Sequence, residues 1–306
     1  MRFDRLMIAG NLIKRERRLI DVRTFDLLSV ISLYLLVAGM LIPLPTVAAQ
    51  DDDRSANDLL RAVVENELKA QAADHSHWSY ESTSPASGTG CKETHVIQTK
   101  DGEIGRVVAV DGRPLTSAEQ ENEDRRIQRF IDNPQQQRKR QREESEDDAK
   151  TERIFKVLPQ MVIATYGQKK GDLVELDFKP NPGFRPSSHE EEVFHSMEGR
   201  IWVDPQKRRL AEIDGHLTTS VKFGGGLLGY LDKGGEFRVK QSEVAPGYWE
   251  ITLMHVDMRG KALFFKTISV QQNELHTNFQ RLPDDLTLAQ GANELRQQLR
   301  AANPQK

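Results

Sequence analysis

A chain of 306 residues, 37% of them hydrophobic and 29% charged, can bury one large core or two ordinary ones. Its formal net charge of −3 argues against a nucleic-acid binder, which would carry a basic surplus on one face. The single cysteine, Cys91, excludes an intrachain disulfide and a cysteine-rich metal site, and Gly88-Thr89-Gly90-Cys91-Lys92 supplies no base for a thiol nucleophile.

The first 49 residues read as an export leader. Lys14-Arg15-Glu16-Arg17-Arg18 is basic, Leu27 to Ile42 is an uncharged apolar run of 16, and Pro43 and Pro45 then break any helix. Val47-Ala48-Ala49 offers the small residues an export peptidase needs, so cleavage near Ala49 is expected. A retained membrane anchor is the alternative, although 16 residues fall short of the roughly 20 that span a bilayer. No cysteine marks the cleavage point for lipid attachment. Removing the seven bases and four acids before residue 50 leaves 36 bases against 42 acids, a net −6. The expected location is the bacterial periplasm or the exterior.

From residue 50 onward the pattern predicts a single β-rich domain to 306. Leu59, Leu60, Val63, Val64 and Leu68 recur at helical spacing and predict an amphipathic helix over 55–73. Strands follow near Trp78–Tyr80, Thr94–Gln98 and Arg106–Val110, the last ending in the turn Asp111-Gly112. A charged stretch without alternation then runs over about 116–157. Thr116 and Glu119 have capping-box spacing, and Asn133-Pro134 divides the stretch into two helices. Its mixture of Arg138-Lys139-Arg140 with Glu143-Glu144 and Glu146-Asp147-Asp148 reads as a solvated helical hairpin rather than a nucleic-acid stripe.

Strands dominate the remainder: Met161–Tyr166, Leu173–Phe178, Ile201–Val203, Leu210–Ile213, Glu236–Val239, Tyr248–Ile251, Ala262–Phe265 and Thr267–Val270. Their short connections carry Gly, Pro or Asp, as antiparallel meanders require. The fold class expected is mainly β (α+β). About ten strands would form a curled antiparallel sheet or half-open barrel, with an N-terminal helix and a charged helical insertion.

No motif names a reaction. Phe223-Gly224-Gly225-Gly226-Leu227-Leu228-Gly229-Tyr230 lacks the Lys-Ser or Lys-Thr of a phosphate loop and reads as a turn or a lid. His75 and His77 form a His-x-His pair without a recognisable third ligand. His189 and His195 flank Glu190-Glu191-Glu192 without zinc-peptidase spacing. No Gly-x-Ser-x-Gly elbow occurs. These readings name no metal, no cofactor and no catalytic residue.

The order of elements, with the hairpin Gly199-Arg200-Ile201-Trp202-Val203-Asp204-Pro205 and Arg209-Leu210-Ala211-Glu212-Ile213, resembles the periplasmic lipoprotein-localisation carriers over about residues 55–285. It is also similar to secreted bacterial proteins of like length, a likeness that implies no activity. The carrier resemblance implies a half-open barrel holding helices against its concave face, with an apolar cavity for acyl chains. The charged arm departs from that pattern. The expectation is an exported, non-enzymatic protein that binds a lipid, lipoprotein or other apolar ligand, with transient membrane contact. Trp202, Leu227, Leu228, Trp249, Phe264 and Phe265 are the candidate wall residues. The alternative is an envelope scaffold or regulatory protein that meets a protein partner through its charged arm.

Overall fold

The computed structural model describes residues 47–85, 90–262 and 266–302, so residues 1–46 of the leader and the candidates Phe264 and Phe265 lie outside the described residues. Helix α1 (Val47–Ala73) precedes strands β1 (His77–Pro85), β2 (Cys91–Thr99), β3 (Gly102–Val110) and the two-residue β4 (Arg113–Pro114). The helical pair α2 (Ser117–Ile131) and α3 (Pro134–Met161) leads into β5 (Val162–Lys170) and β6 (Leu173–Pro180). A short helix α4 (His189–Phe194) precedes β7 (Met197–Asp204), β8 (Arg209–Leu217), β9 (Val221–Phe223) and β10 (Gly229–Leu231). The chain closes with β11 (Glu236–Ala245), β12 (Tyr248–Ala262), β13 (Lys266–Leu282) and helix α5 (Leu288–Ala302).

Among the described residues thirteen strands join one open antiparallel sheet, ordered β4-β3-β2-β1-β13-β12-β11-β8-β7-β6-β5, with β10 pairing β12 and β9. The mainly β class therefore holds, with more strands than the ten or so expected. Among the described residues no helix is long and apolar enough to cross a membrane. The open edges β4 and β5 are consecutive strands in the sequence, joined by α2 and α3. With 28 residues, α3 is about 42 Å long, enough for a connection of that reach.

The charged stretch folds as its punctuation predicts. Thr116 Oγ1 accepts from the Glu119 amide while the Glu119 carboxylate accepts from the Thr116 amide, closing the capping box. Asn133 caps α3, with Pro134 in its first turn. The hairpin is not, however, a solvated appendage. Ile127 of α2 is fully buried, and Ile154, Phe155, Leu158 and Met161 carry the end of α3 into the core.

Two apolar clusters occupy opposite faces of the sheet, as the strand register demonstrates. Cross-strand partners share a face, so Met254, Val239, Ile213, Ile201 and Leu176 form one row. This row belongs to the larger core, covered by α1 and the end of α3. On β12 the neighbouring Leu253 points the other way and pairs with Leu275, which pairs with Thr83 of β1. Two-residue steps along β1 reach Ser79, whose partner Ile97 pairs with Ile104. Ile97 and Ile104 therefore lie on the opposite face, packed by Ile127 of α2 and by Leu288, Ala292 and Leu295 of α5. Helices cover both faces, rather than one concave face alone.

Arg106, 1% exposed on the second face, pairs with Asp124 of α2 at 2.5 Å, and Arg296 of α5 lies 3.8 Å from the same carboxylate. Gly291 of α5 permits the close approach: a Cβ there would stand 3.0 to 3.3 Å from Thr99, Ile97 and Ile104.

Candidate functional site

The site is built on α1. Its inward stripe of Ala56, Leu60, Val63 and Val64 repeats at three and four residues, and each of the four is at most 3% exposed. Polar staples fasten the helix at both ends of this stripe. Asn57 donates to the Pro159 and Val162 carbonyls at 3.2 and 3.1 Å and accepts from the Ala164 amide at 2.7 Å. Ten positions on, Glu67 is 1% exposed. Its Oε1 accepts from Arg209 Nε at 2.8 Å, the Leu210 amide at 2.7 Å and Gln241 Nε2 at 2.9 Å.

Burial pushes the Glu67 pKa up, against the opposing pull of Arg209 and the hydrogen bonds from Leu210 and Gln241. The Arg209 guanidinium lies 5.2 Å from the Trp249 ring centre, and the Lys207 ammonium 5.5 Å from it. Glu67, Arg209, Gln241 and Trp249 thus form one buried lock holding α1 to β8, β11 and β12.

Between the two staples, α1 covers an apolar layer. The large core that its stripe joins contains Met161, Met197, Met254 and Met258, the four methionines of the described residues, each at most 5% exposed. Methionine is unbranched and polarisable, so a layer rich in it can repack around inserted groups.

A second feature lies just past the end of α1. Gln71, Asp74, His75, Gln98, Lys100 and Glu250 surround a cleft of about 360 Å³. Glu250 sits on β12 between Trp249 and Ile251 and is 6% exposed. Its carboxylate makes no hydrogen bond or ion pair to any described residue. Gln71 Oε1 is likewise buried without a hydrogen-bond partner. Burial first, then the negative charges of Asp74 and Glu103, push the Glu250 pKa up to about 7.

This shift makes stability depend on pH. The folded protein binds a proton at Glu250 that the unfolded chain releases at its ordinary value of 4.5. The contribution is fully present below that value and is lost as pH rises towards about 7. Glu250→Gln should therefore raise stability above neutral pH by a few kcal/mol, roughly 3 at most. Urea midpoints at about pH 5 and pH 8 check this: the gap between variant and parent should widen at the higher pH.

The fold does not gather the four described candidates into one wall. Trp249 is buried, with the Lys207 and Arg209 cations over its ring. Trp202 is half-buried and alternates with the core residues Ile201 and Val203; it pairs with Glu175 and Glu212 on the other face. Leu227 and Leu228 are 64% and 53% exposed beside the 3-10 turn Gly224–Gly226, where all three glycines have positive φ. That turn joins β9 to β10 as a short hairpin.

Of the histidine pair, His77 opens β1 and is buried, whereas His75 precedes the strand and is exposed, so the two do not share a strand face. The His189 cluster is helix α4, capped by Ser188, and His195 Nε2 lies 2.8 Å from the Asn181 carbonyl. Among the described residues no group of three His, Cys, Asp or Glu is placed to hold a metal ion.

Sequence reading missed Glu67, Arg209, Gln241, Glu250, Gln71 and Lys100. Glu67 alone left a signal, since it continues the apolar stripe of α1 one heptad after Leu60. Comparison with protein-family models, with curated proteins and with solved structures gives no match, so the functional reading rests on this chain's own residues.

Proposed function

We propose that the chain is an exported, non-enzymatic binding protein that takes an acyl chain or similar apolar group into the layer between α1 and the sheet. The observation that carries this reading is the α1 layer itself. The helix is stapled at Asn57 and Glu67, about 15 Å apart, and its buried stripe joins the large apolar core, which also includes four methionines. Such a layer can open by small shifts of the helix and repack around a guest. The resemblance of the chain to lipoprotein-localisation carriers supports the same class of ligand, and the leader-like first 49 residues support export.

A fluorescent fatty-acid analogue tests the reading. It should bind saturably at one site per chain, and Leu60→Phe, which fills space in the layer, should weaken it about tenfold, equivalent to roughly 1.4 kcal/mol. Unsaturable binding, or affinity unchanged in a folded Leu60→Phe protein, would count against it.

A second reading, partner binding through the helical hairpin, draws on a different feature. The α2–α3 junction encloses an open cleft of about 890 Å³ where Arg126, Arg129, Lys139 and Arg140 outnumber Asp132 and Glu143. An acidic protein segment is the partner such a cleft would favour.

A further inference from the structure

We propose that the cleft past the end of α1 binds the primary ammonium group of a small zwitterion, with Glu250 and Gln71 accepting its N–H donors and Lys100 facing its anionic end. The proposal does not require the α1 layer to accept a ligand, so the two can fail separately.

Glu250 is nine-tenths buried, lines the cleft, and receives no hydrogen bond or ion pair from any described residue. Gln71 Oε1 is a second buried acceptor on the same cleft without a hydrogen-bond partner. Buried acceptors left without donors are costly, and each is relieved by a ligand that brings N–H groups. A primary ammonium supplies three donors and a positive charge.

The neighbours sharpen the class of ligand. Gln98 is committed elsewhere: its Oε1 accepts from the Trp78 amide at 3.1 Å and its Nε2 donates to Glu103 at 3.2 Å. Glu103 also accepts from the Tyr80 hydroxyl at 3.2 Å. Asp74 accepts from the Ser76 amide at 2.8 Å. Glu250 and Gln71 thus offer acceptors to a guest. The exposed Lys100, at the rim of the same cleft, adds a positive charge that a bare amine would not want but a carboxylate or phosphate would. One buried anion and one rim cation around 360 Å³ match the two ends of a small zwitterion.

Binding should also depend on pH. Among the described residues, the charged or titratable groups facing Glu250 are Asp74 and His75 in the α1–β1 connection, His77 of β1, Lys100 and Glu103 around the β2–β3 turn, and Arg209 of β8. The ammonium needs Glu250 as a carboxylate, so affinity should rise between about pH 6 and about pH 8.

Calorimetric titration of the purified chain with O-phosphoethanolamine, phosphocholine, ethylammonium and inorganic phosphate tests the assignment. Phosphoethanolamine should bind at least tenfold more tightly than phosphocholine, whose quaternary nitrogen has no N–H to donate. Glu250→Gln should lose at least tenfold in affinity for phosphoethanolamine and ethylammonium while melting no lower than the parent at about pH 8. Lys100→Met should weaken phosphoethanolamine and leave ethylammonium unchanged. Vesicles of phosphatidylethanolamine, set against phosphatidylcholine, then distinguish a lipid headgroup from a free solute. Equal affinity for phosphocholine, affinity unaffected by Glu250→Gln, or no saturation by either amine probe would overturn the proposal.

Discussion

Replacing Arg209 with alanine should destabilise the protein by about 3–5 kcal/mol, among the largest effects expected of any single substitution here. The reason is asymmetric. Glu67 is 1% exposed, and Arg209 is the cation against its carboxylate. Removing the guanidinium leaves a buried charge facing only the Leu210 amide and Gln241, and it uncovers Trp249 as well. The pair replaced together tells a different story: Glu67→Leu with Arg209→Met should recover most of the loss, because well-packed apolar residues avoid the desolvation cost. Urea denaturation of the single and double variants measures both numbers. A single variant as stable as the parent would mean that the lock does not hold α1.

The second large effect concerns the charged helices. Deleting residues 117–156 should abolish cooperative unfolding, rather than trim a solvated arm. The deletion removes Ile127, Ile154 and Phe155, all buried, and strips Arg106 of Asp124. Three losses of about 2–5 kcal/mol each are together as large as the roughly 5–15 kcal/mol that typically holds a domain together. Near-ultraviolet circular dichroism and a urea transition check this outcome. The deletion therefore cannot separate partner binding from folding. Reversing the exposed Arg138, Lys139 and Arg142 to glutamate can, since these side chains stand in solvent and the core half of α3 stays intact.

Much of the architecture was legible because local signals and tertiary packing agree. The break at Asn133-Pro134, the capping box at Thr116 and the stripe of α1 all became structure where they were read. Strand β13 was not legible beyond Val270, because Gln271 to Gln280 is largely polar on both sides and gives no alternation. Its length comes from pairing with β12 and β1, which no local pattern announces. Helix α5 hides for another reason: Gly291 lowers its helix propensity and is needed for packing against Ile97 and Ile104.

The site was the least legible part. Arg209 and Gln241 lie 142 and 174 positions from Glu67, and Glu250 is one polar residue between Trp249 and Ile251. Aromatic residues were the natural wall candidates by size, yet the register turned Trp202 away from the core and set Trp249 beneath cations.

Native mass spectrometry of the chain purified from an exporting bacterial host without detergent, followed by solvent extraction, tests the central claim most directly. The chain should carry an acyl lipid at close to one per molecule and release it when the α1 lock is broken by Arg209→Ala. A folded protein with a clean apo mass, unchanged after incubation with envelope lipids, would contradict it.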